Sequence, residues 1–384
     1  MKKNSLLLLM SPGMSLKRWK EIGYLDRELS IYGKLAGDFG EVYIFSYGLD
    51  EHSLVDSYPN VKVIADNFLS FLYSLFPGKL HSIINLLYEW FFIAKYKDLL
   101  KGITIIKTNQ LSSAELAFRI KKKFNQITVI RMGFYHTHLL PTSTYKIQKE
   151  MMLFRKVDGI LVTDPGAKEF LKQHGLVEQV FYMQNYIDTS IFIPKPIEKK
   201  FDVLFVGRLE PKEKNLDNFI EAILLNKHLK YVIIGQGKYS GVLEEFKKKY
   251  DLEMEIIPKV NNSELPYYYN STNLFILPSF YEGNPKVLLE AMSCGCACIG
   301  TSVPGIESII QHNINGYLCK TDAGSISQAI NGLLNGEAKR AELGKKAREY
   351  ILNNCSINQN LSREIKFYNE LIEKKEKSIP AWQG

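Results

Sequence analysis

Short apolar runs alternate with helix-like spans twice along this chain, and a stiff charged stretch separates the two series. In the first series Ser5–Met10, Glu41–Ser46, Val61–Ala65, Ile103–Lys107, Thr128–Arg131, Asp158–Thr163 and Gln179–Met183 have the length and apolar content of buried strands. Spans such as Trp19–Ala36, Ala114–Phe124 and Pro165–His174 lie between them with helical spacing. The second series starts at Phe201, with strands expected at Asp202–Val206, Tyr231–Ile234, Glu253–Ile257, Leu274–Pro278, Cys296–Gly300 and Tyr317–Lys320. Strand–helix alternation of this kind predicts α/β architecture, with parallel sheets covered by helices on both faces. Pro194, Lys195, Pro196 and Glu198–Lys200 read as an interdomain linker. A chain of 384 residues suffices for two domains with sizeable cores, here expected at 1–193 and 196–355. Ser362–Glu373 reads as a last helix and Lys374–Gly384 as a frayed tail.

The stretch Leu274–Glu290, LFILPSFYEGNPKVLLE, concentrates the chemistry. A buried strand runs to Pro278 and a loop follows. Asn284 suits an N-cap and Pro285 the first helical position, where its missing N–H costs nothing. Lys286–Ser293 continues as a helix that Gly295 ends. Such a helix start aims unpaired N–H groups and a positive dipole end at whatever lies above the strand. Glu282 sits in the loop and Glu290 deeper in the helix. Carboxylates accept two hydroxyl hydrogen bonds and so suit vicinal diols. On spacing alone, both also fit ordinary solvated glutamates. In open α/β sheets ligands collect outside the carboxyl ends of strands, which makes Lys107, Asn109, Arg131 and His136 candidates for an acceptor.

Glu282–Gly283–Asn284–Pro285 followed by Glu290 resembles the Glu-x7-Glu motif of glycosyltransferase family 4, retaining enzymes of the GT-B fold. The resemblance extends through Ala291–Gly295 and Val303–Glu307. Gly207–Arg208–Leu209 with Lys214–Asn215 resembles the family's Gly-Arg-Leu…Lys element, and Asn185–Phe192 the turn that closes its first domain. The resemblance implies two Rossmann-like doubly wound domains facing each other across a cleft. The first would bind the acceptor and the second the nucleotide sugar, with a last helix near 356–376 crossing back. It implies a UDP- or GDP-sugar as co-substrate, no cofactor, and front-face transfer in which the leaving phosphate takes the acceptor's proton. Arg208 and Lys214 would meet the diphosphate with the N–H groups near Lys286 and Val287, as a bidentate fork and a point charge. Glu282 would hold the donor sugar and Glu290 the ribose, while Asn284 could bind the sugar or cap the helix. Gly207, Gly283 and Pro285 frame these groups; Gly235 borders the nucleotide, and Val260 lies where relatives bind the base through backbone atoms. Many relatives carry a glycine pair in the first loop. Here Gly13 stands alone beside Pro12, and a plain strand-to-helix turn fits equally well. Many also place a histidine directly after the fifth strand; here that place holds Arg131, with His136 further on.

Other chemistries lack their signatures. No two aspartates are separated by a single residue, so the metal-binding Asp-x-Asp motif is absent. No P-loop occurs, and Gly235–Gly237–Gly241 misses the dinucleotide spacing by one residue. Cys294, Cys296 and Cys298 depart from zinc spacing and read as packed thiols, with a reducing cytoplasm as the default. The net charge of +8 suits phosphorylated substrates or an anionic membrane surface, and no nucleic-acid signature accompanies it. Lys2–Lys3 before Leu6–Met10 imitates a secretion leader but reads as the first strand, and no apolar run is long enough to cross a membrane. Phe68–Leu100 is rich in aromatic residues and lysines. It reads either as a buried aromatic face or as a peripheral membrane contact that brings the protein near a glycan or lipid-linked acceptor. A catalytically silent nucleotide-sugar binder on the same fold would be expected to lose one of Arg208, Lys214, Glu282 or Glu290, and all four are present. An epimerase would need its own acid/base pair, and none is identified.

Overall fold

The computed structural model describes residues 4–65, 81–133 and 143–378. The chain divides into two compact units. Residues up to Thr163, Ala167–Met183 and those from Leu361 form the first; Asp164–Gly166 and Gln184–Asn360 form the second.

Among the described residues the first unit holds seven parallel strands. They are β1 (Asn4–Leu9), β2 (Gly40–Ser46), β3 (Val61–Ala65), β4 (Ile105–Thr108), β5 (Ile127–Met132), β6 (Gly159–Val162) and β7 (Val180–Tyr182), in the order β3-β2-β1-β4-β5-β6-β7. Leu6–Leu9 of β1 are fully buried, as a continuous apolar run requires when helices cover both faces of a sheet. The second unit repeats the plan with β8 (Phe201–Val206), β9 (Tyr231–Ile234), β10 (Met254–Ile257), β11 (Thr272–Leu277), β12 (Ala297–Thr301) and β13 (Tyr317–Cys319), in the order β10-β9-β8-β11-β12-β13. The order reverses where β8 pairs with β11, Val203 opposite Leu274. The segments leaving these two strands therefore start side by side, at the point where open α/β sheets bind ligands.

The second sheet is packed on both faces. Leu204, Phe275, Leu288, Met292 and Cys298 belong to one cluster, and Phe205, Phe219, Ile276, Ile299 and Ile330 to the other. All five cysteines are buried free thiols. Burial pushes the Cys296 thiol up to about 12, which keeps it protonated and unreactive.

The structure departs from the expected boundaries in two places. Residues 184–193 belong with the second unit, ahead of the expected linker. Ile187 N–H donates to Cys355 O at 2.8 Å, Phe192 is buried in the second unit's core, and Arg348 Nη1 donates to Phe192 O at 2.6 Å. The last helix runs Ile357–Ser378, beyond both ends of the Ser362–Glu373 span read from the residues and close to the 356–376 that the resemblance implies. Its C-terminal half is held in the first unit by Phe367, which stacks on Phe181 at 4.5 Å and fills the space above Gly159. Lys374 pairs with Glu178 and Lys375 donates to Asn125 O, so a segment read as tail is helical through Ser378.

Residues 66–80 of the aromatic stretch lie outside the described residues, and helix His81–Lys95 follows them. This helix has two apolar faces. Tyr88, Phe92 and Ile93 are buried, with Phe92 4.0 Å from the Phe45 ring and Tyr88 5.0 Å from Tyr47. Leu86, Leu87, Trp90 and Phe91 are exposed, Trp90 by 71%. Among the described residues, no helix is long and apolar enough to cross a membrane.

Candidate active site

The second unit's switch point gathers most of the donor-side candidates. The segment after β8 is held by backbone bonds, Gly207 N–H to Ile234 O at 2.9 Å and Leu209 N–H to Gln236 O at 3.1 Å. A Cβ on Gly235 would lie 1.8 Å from Gly207 O, and Gly235 has φ +152°. The glycine there allows two loops to touch backbone to backbone, a packing reason beside the ligand approach expected from sequence.

Arg208 is largely exposed and bonds Glu213 at 3.1 Å. Lys214 ends the short helix Pro211–Lys214, and its Nζ lies 2.5 Å from Glu282 Oε1. The same oxygen accepts from Ser279 Oγ at 2.7 Å. Lys214 and Glu282 are both mostly buried, at 15% and 11% side-chain exposure. Two bonds hold their loops together and a third ties them to Thr321. Asn215 Nδ2 donates to Pro278 O at 3.0 Å and to Thr321 O at 2.7 Å, and Phe280 N–H donates to Glu213 O at 3.0 Å. Glu282 and Gly283 also pack against the Pro304–Gly305 turn, where a Cβ on Gly305 would lie 1.9 Å from Glu282 O.

Asn284 does not cap the helix. Its Oδ1 accepts from Asn185 N–H at 2.8 Å, and its carbonyl accepts from Asn185 Nδ2 at 2.8 Å. Pro285 stands at the cap position instead, with extended backbone and no side-chain bond to the helix. Lys286 and Val287, both partly buried, begin helix Lys286–Ser293. Asn284 Nδ2 is buried with no hydrogen-bond partner among the described residues. An unpaired buried donor of this kind costs about 1–3 kcal/mol.

Glu290 is 1% exposed. Asn262 Nδ2 donates to its Oε1 at 3.2 Å, and the Tyr269 hydroxyl to its Oε2 at 3.1 Å. Burial first, then the Glu290 charge, hold the Tyr269 hydroxyl protonated and fixed as a donor. Asn262 ties this carboxylate to the loop after β10 that carries Val260. Val260 also borders a cavity of about 690 Å³ lined by Lys195, Lys259, Tyr267 and Tyr268. Asn185, Glu213, Asn262, Tyr269 and Ser279 were missed by sequence reasoning. Their partners lie far along the chain or across a loop, and apart from the Asn185–Phe192 turn, which says nothing of Asn284, no local pattern marks them.

In the first unit the candidates separate. Gly13 has φ +74° and precedes helix Leu16–Glu21. That helix start already holds a carboxylate: buried Glu51 accepts from Leu16 N–H at 3.2 Å and Lys17 N–H at 2.6 Å, and Ser15 Oγ accepts from Arg18 N–H at 3.0 Å. A phosphate cannot share those donors, so only the backbone of the Gly13 turn is left for a ligand. Lys107 is fully buried and paired with Glu364 of the last helix, below the Tyr32 ring. Burial lowers its pKa while Glu364 opposes the shift. Lys107 is thus a core ion-pair partner rather than an open acceptor contact. Asn109 is partly exposed and Arg131 half-buried at the ends of β4 and β5. His136 lies outside the described residues. Among the described residues, no group of three or more His, Cys, Asp or Glu is placed to hold a metal ion.

Two sheets of Rossmann order, with a helix start, paired ion and buried carboxylate at one switch point, define an α/β protein of the GT-B class. A cyanobacterial sucrose-phosphate synthase from Thermosynechococcus elongatus shares this fold over 97% of this chain and 100% of its own, with TM-score 0.78 at 17% identity. Anabaena HepE, solved with UDP, shares it over 96% and 100%, with TM-score 0.73 at 15% identity. Residues 187–350 match the family model for glycosyl transferases group 1. N-acetyl-alpha-D-glucosaminyl L-malate synthase of Bacillus anthracis is 30% identical over 53% of this chain and 56% of its own length. UDP-Gal:alpha-D-GlcNAc-diphosphoundecaprenol alpha-1,3-galactosyltransferase of Escherichia coli is 26% identical over 46% and 47%. The chain thus spans about half the length of these curated relatives.

Proposed function

We propose that this protein is a retaining glycosyltransferase that moves a sugar from a UDP- or GDP-sugar to a glycan or lipid-linked acceptor, without a metal ion. The observation that carries the reading is the Lys214–Glu282 pair beside Arg208 at the second unit's switch point, next to an uncapped helix start. The second unit binds the donor. Arg208, Lys214 and the N–H groups at Lys286 and Val287 stabilise the diphosphate as its charge grows, in the way preorganised donors stabilise an oxyanion. Glu282 takes the sugar hydroxyls and Glu290 the ribose hydroxyls, with the base beside Val260. The bond from the anomeric carbon to the phosphate oxygen breaks as the acceptor oxygen bonds to the same face. The acceptor's proton passes to the departing phosphate. Lys214 and Glu282 pair with each other, and a donor sugar diphosphate would replace one partner for each.

The first unit binds the acceptor, through Asn109, Arg131 and His136. A membrane-proximal acceptor is supported by the exposed Leu87 and Trp90 face and by a groove of about 520 Å³ between helices Ala114–Phe124 and Thr144–Phe154. Phe118, Met152 and Leu153 line that groove with Lys122, Lys149 and Lys156. Glu115 and Glu150 also line it, and apolar side chains with an excess of cations around them fit an anionic bilayer surface at the cytoplasmic face. The E. coli relative named for a diphosphoundecaprenol substrate fits the same reading.

Incubation with labelled UDP- and GDP-sugars, with and without membrane extract, tests this function. Sugar transfer with release of the nucleoside diphosphate is expected. Nucleotide-sugar binding with no turnover on any extract would favour a silent binder, and conversion of the free nucleotide sugar to an isomer would favour an epimerase.

A further inference from the structure

We propose that Asn185 is a positioning residue for the donor loop, acting through Asn284. This deepens the glycosyltransferase reading and rests on it.

Asn185 lies two residues past the point where the chain enters the second unit. It is 7% exposed, as is Asn284. The two residues bond reciprocally: Asn185 backbone N–H to Asn284 Oδ1, and Asn185 Nδ2 to Asn284 O, each at 2.8 Å. Two bonds between one pair of residues fix both position and rotation, whereas one would leave a hinge. Asn284 is followed by Pro285, whose ring restricts the chain into the helix. Glu282 and Gly283 precede it, held on their other side by the Pro304–Gly305 turn. The Asn284 carbonyl is therefore a fixed point between the carboxylate assigned to the sugar and the helix start assigned to the phosphate.

The segment carrying Asn185 is itself anchored. Ile187 N–H donates to Cys355 O at 2.8 Å, and Ile357 N–H to Ile187 O at 3.1 Å. Gln184 Nε2 donates to the Tyr350 hydroxyl at 2.8 Å, and Asn360 Nδ2 approaches Gln184 O at 3.5 Å. Two of the points where the chain passes between its units, after Met183 and after Asn360, thus meet on one short segment. That segment presents Asn185 to the donor loop. An asparagine suits the position because a short side-chain amide donates to the carbonyl while the same residue's backbone donates to the amide oxygen. Aspartate would set an oxygen against the Asn284 carbonyl, and alanine would keep only the backbone N–H bond to Asn284 Oδ1.

The test compares Asn185→Ala, Asn185→Asp, Asn284→Ala and Asn185→Ala/Asn284→Ala with the wild type. Donor KM, kcat, nucleoside diphosphate affinity by calorimetry and thermal melting are measured on the full chain. Asn185→Ala is expected to raise donor KM about tenfold or more, the scale of a loop displaced by part of an ångström, with kcat within about threefold. Asn185→Asp should be worse than alanine at equal melting temperature. Asn284→Ala keeps the carbonyl that accepts from Asn185 Nδ2, so in that background Asn185→Ala should raise KM further. A double variant with a KM no higher than that of Asn284→Ala alone, or a fall in kcat and melting temperature at unchanged KM, would overturn the positioning role. If the wild type binds neither UDP nor GDP and transfers no sugar, the glycosyltransferase reading fails first and the role of Asn185 falls with it. If the wild type is active and Asn185→Ala matches it, only the positioning role fails.

Discussion

Lys107 and Lys214 look alike in sequence, each a cation near the end of a strand, and the fold uses them differently. Lys107 faces inward and closes a fully buried pair with Glu364, whose Oε1 also accepts from the Tyr368 hydroxyl. Removing one partner leaves the other charge buried, which costs about 3–5 kcal/mol. Glu364→Ala should lower the urea midpoint of unfolding by that scale, whereas Lys107→Met combined with Glu364→Leu should recover most of it. Equal midpoints for the single variant and the wild type would refute the core role. Lys214 instead stands in a partly open pair whose partner, Glu282, sits beside the helix start. Arg208 is 73% exposed and supports little structure. Arg208→Ala should therefore leave thermal melting unchanged while lowering turnover about 10²–10³-fold, the loss seen when one oxyanion donor is removed. Undiminished turnover would remove Arg208 from the mechanism. Glu290 needs a gentler probe, because alanine would strand the Tyr269 hydroxyl and the Asn262 amide.

At the scale of elements, helix His81–Lys95 carries two separable roles on opposite faces. Its inner face contributes Glu89, 8% exposed and 3.4 Å from Arg119, which also lies 3.8 Å from Glu115. Burial chiefly, with Arg119 opposing and Glu115 adding, raises the Glu89 carboxyl to about 7. In the unfolded chain it titrates near the ordinary value of about 4.3. Between those values the folded state holds the proton and the unfolded state does not, so stability falls as pH rises through that window and levels above it. Glu89→Gln should flatten this part of the stability–pH curve, measured by chemical unfolding between pH 4.5 and 8 (values spanning about that window). An unchanged slope would mean that Glu89 is ionised throughout. The outer face presents Leu87 and Trp90 with Lys95 and Lys97 nearby in sequence. Co-sedimentation with anionic vesicles should fall in Lys95→Glu/Lys97→Glu and in Trp90→Ser, and should weaken with salt. Binding to neutral and anionic vesicles alike, or to neither, would leave a soluble acceptor as the reading for this face.

At the scale of the whole molecule, transfer should persist in a chelator, because Arg208, Lys214 and a helix start supply the positive potential that a metal supplies elsewhere. Loss of transfer in EDTA with recovery on adding Mn²⁺ would refute this. Strand–helix alternation was legible throughout, since apolar runs such as Leu6–Leu9 and Leu274–Leu277 have one low-energy use, as parallel strands covered on both faces. So was the placement of Glu282, Asn284, Pro285 and Glu290 on one continuous strand, loop and helix, because that geometry is local. The sequence by itself thus determined the two α/β units and the strand, loop and helix on which Glu282 and Glu290 sit. Only tertiary structure decided what each side chain faces. Asn284 turns to Asn185 rather than capping its helix, Lys107 pairs with Glu364 rather than facing solvent, and Glu51 fills the helix start after Gly13. Residues 184–193 likewise join the second unit through Ile187, Phe192 and Arg348. The reason is the same in each case. A strand or helix is specified by neighbours a few residues apart, but a buried polar group must find its partner wherever the fold brings one, and those partners stand tens to hundreds of residues away.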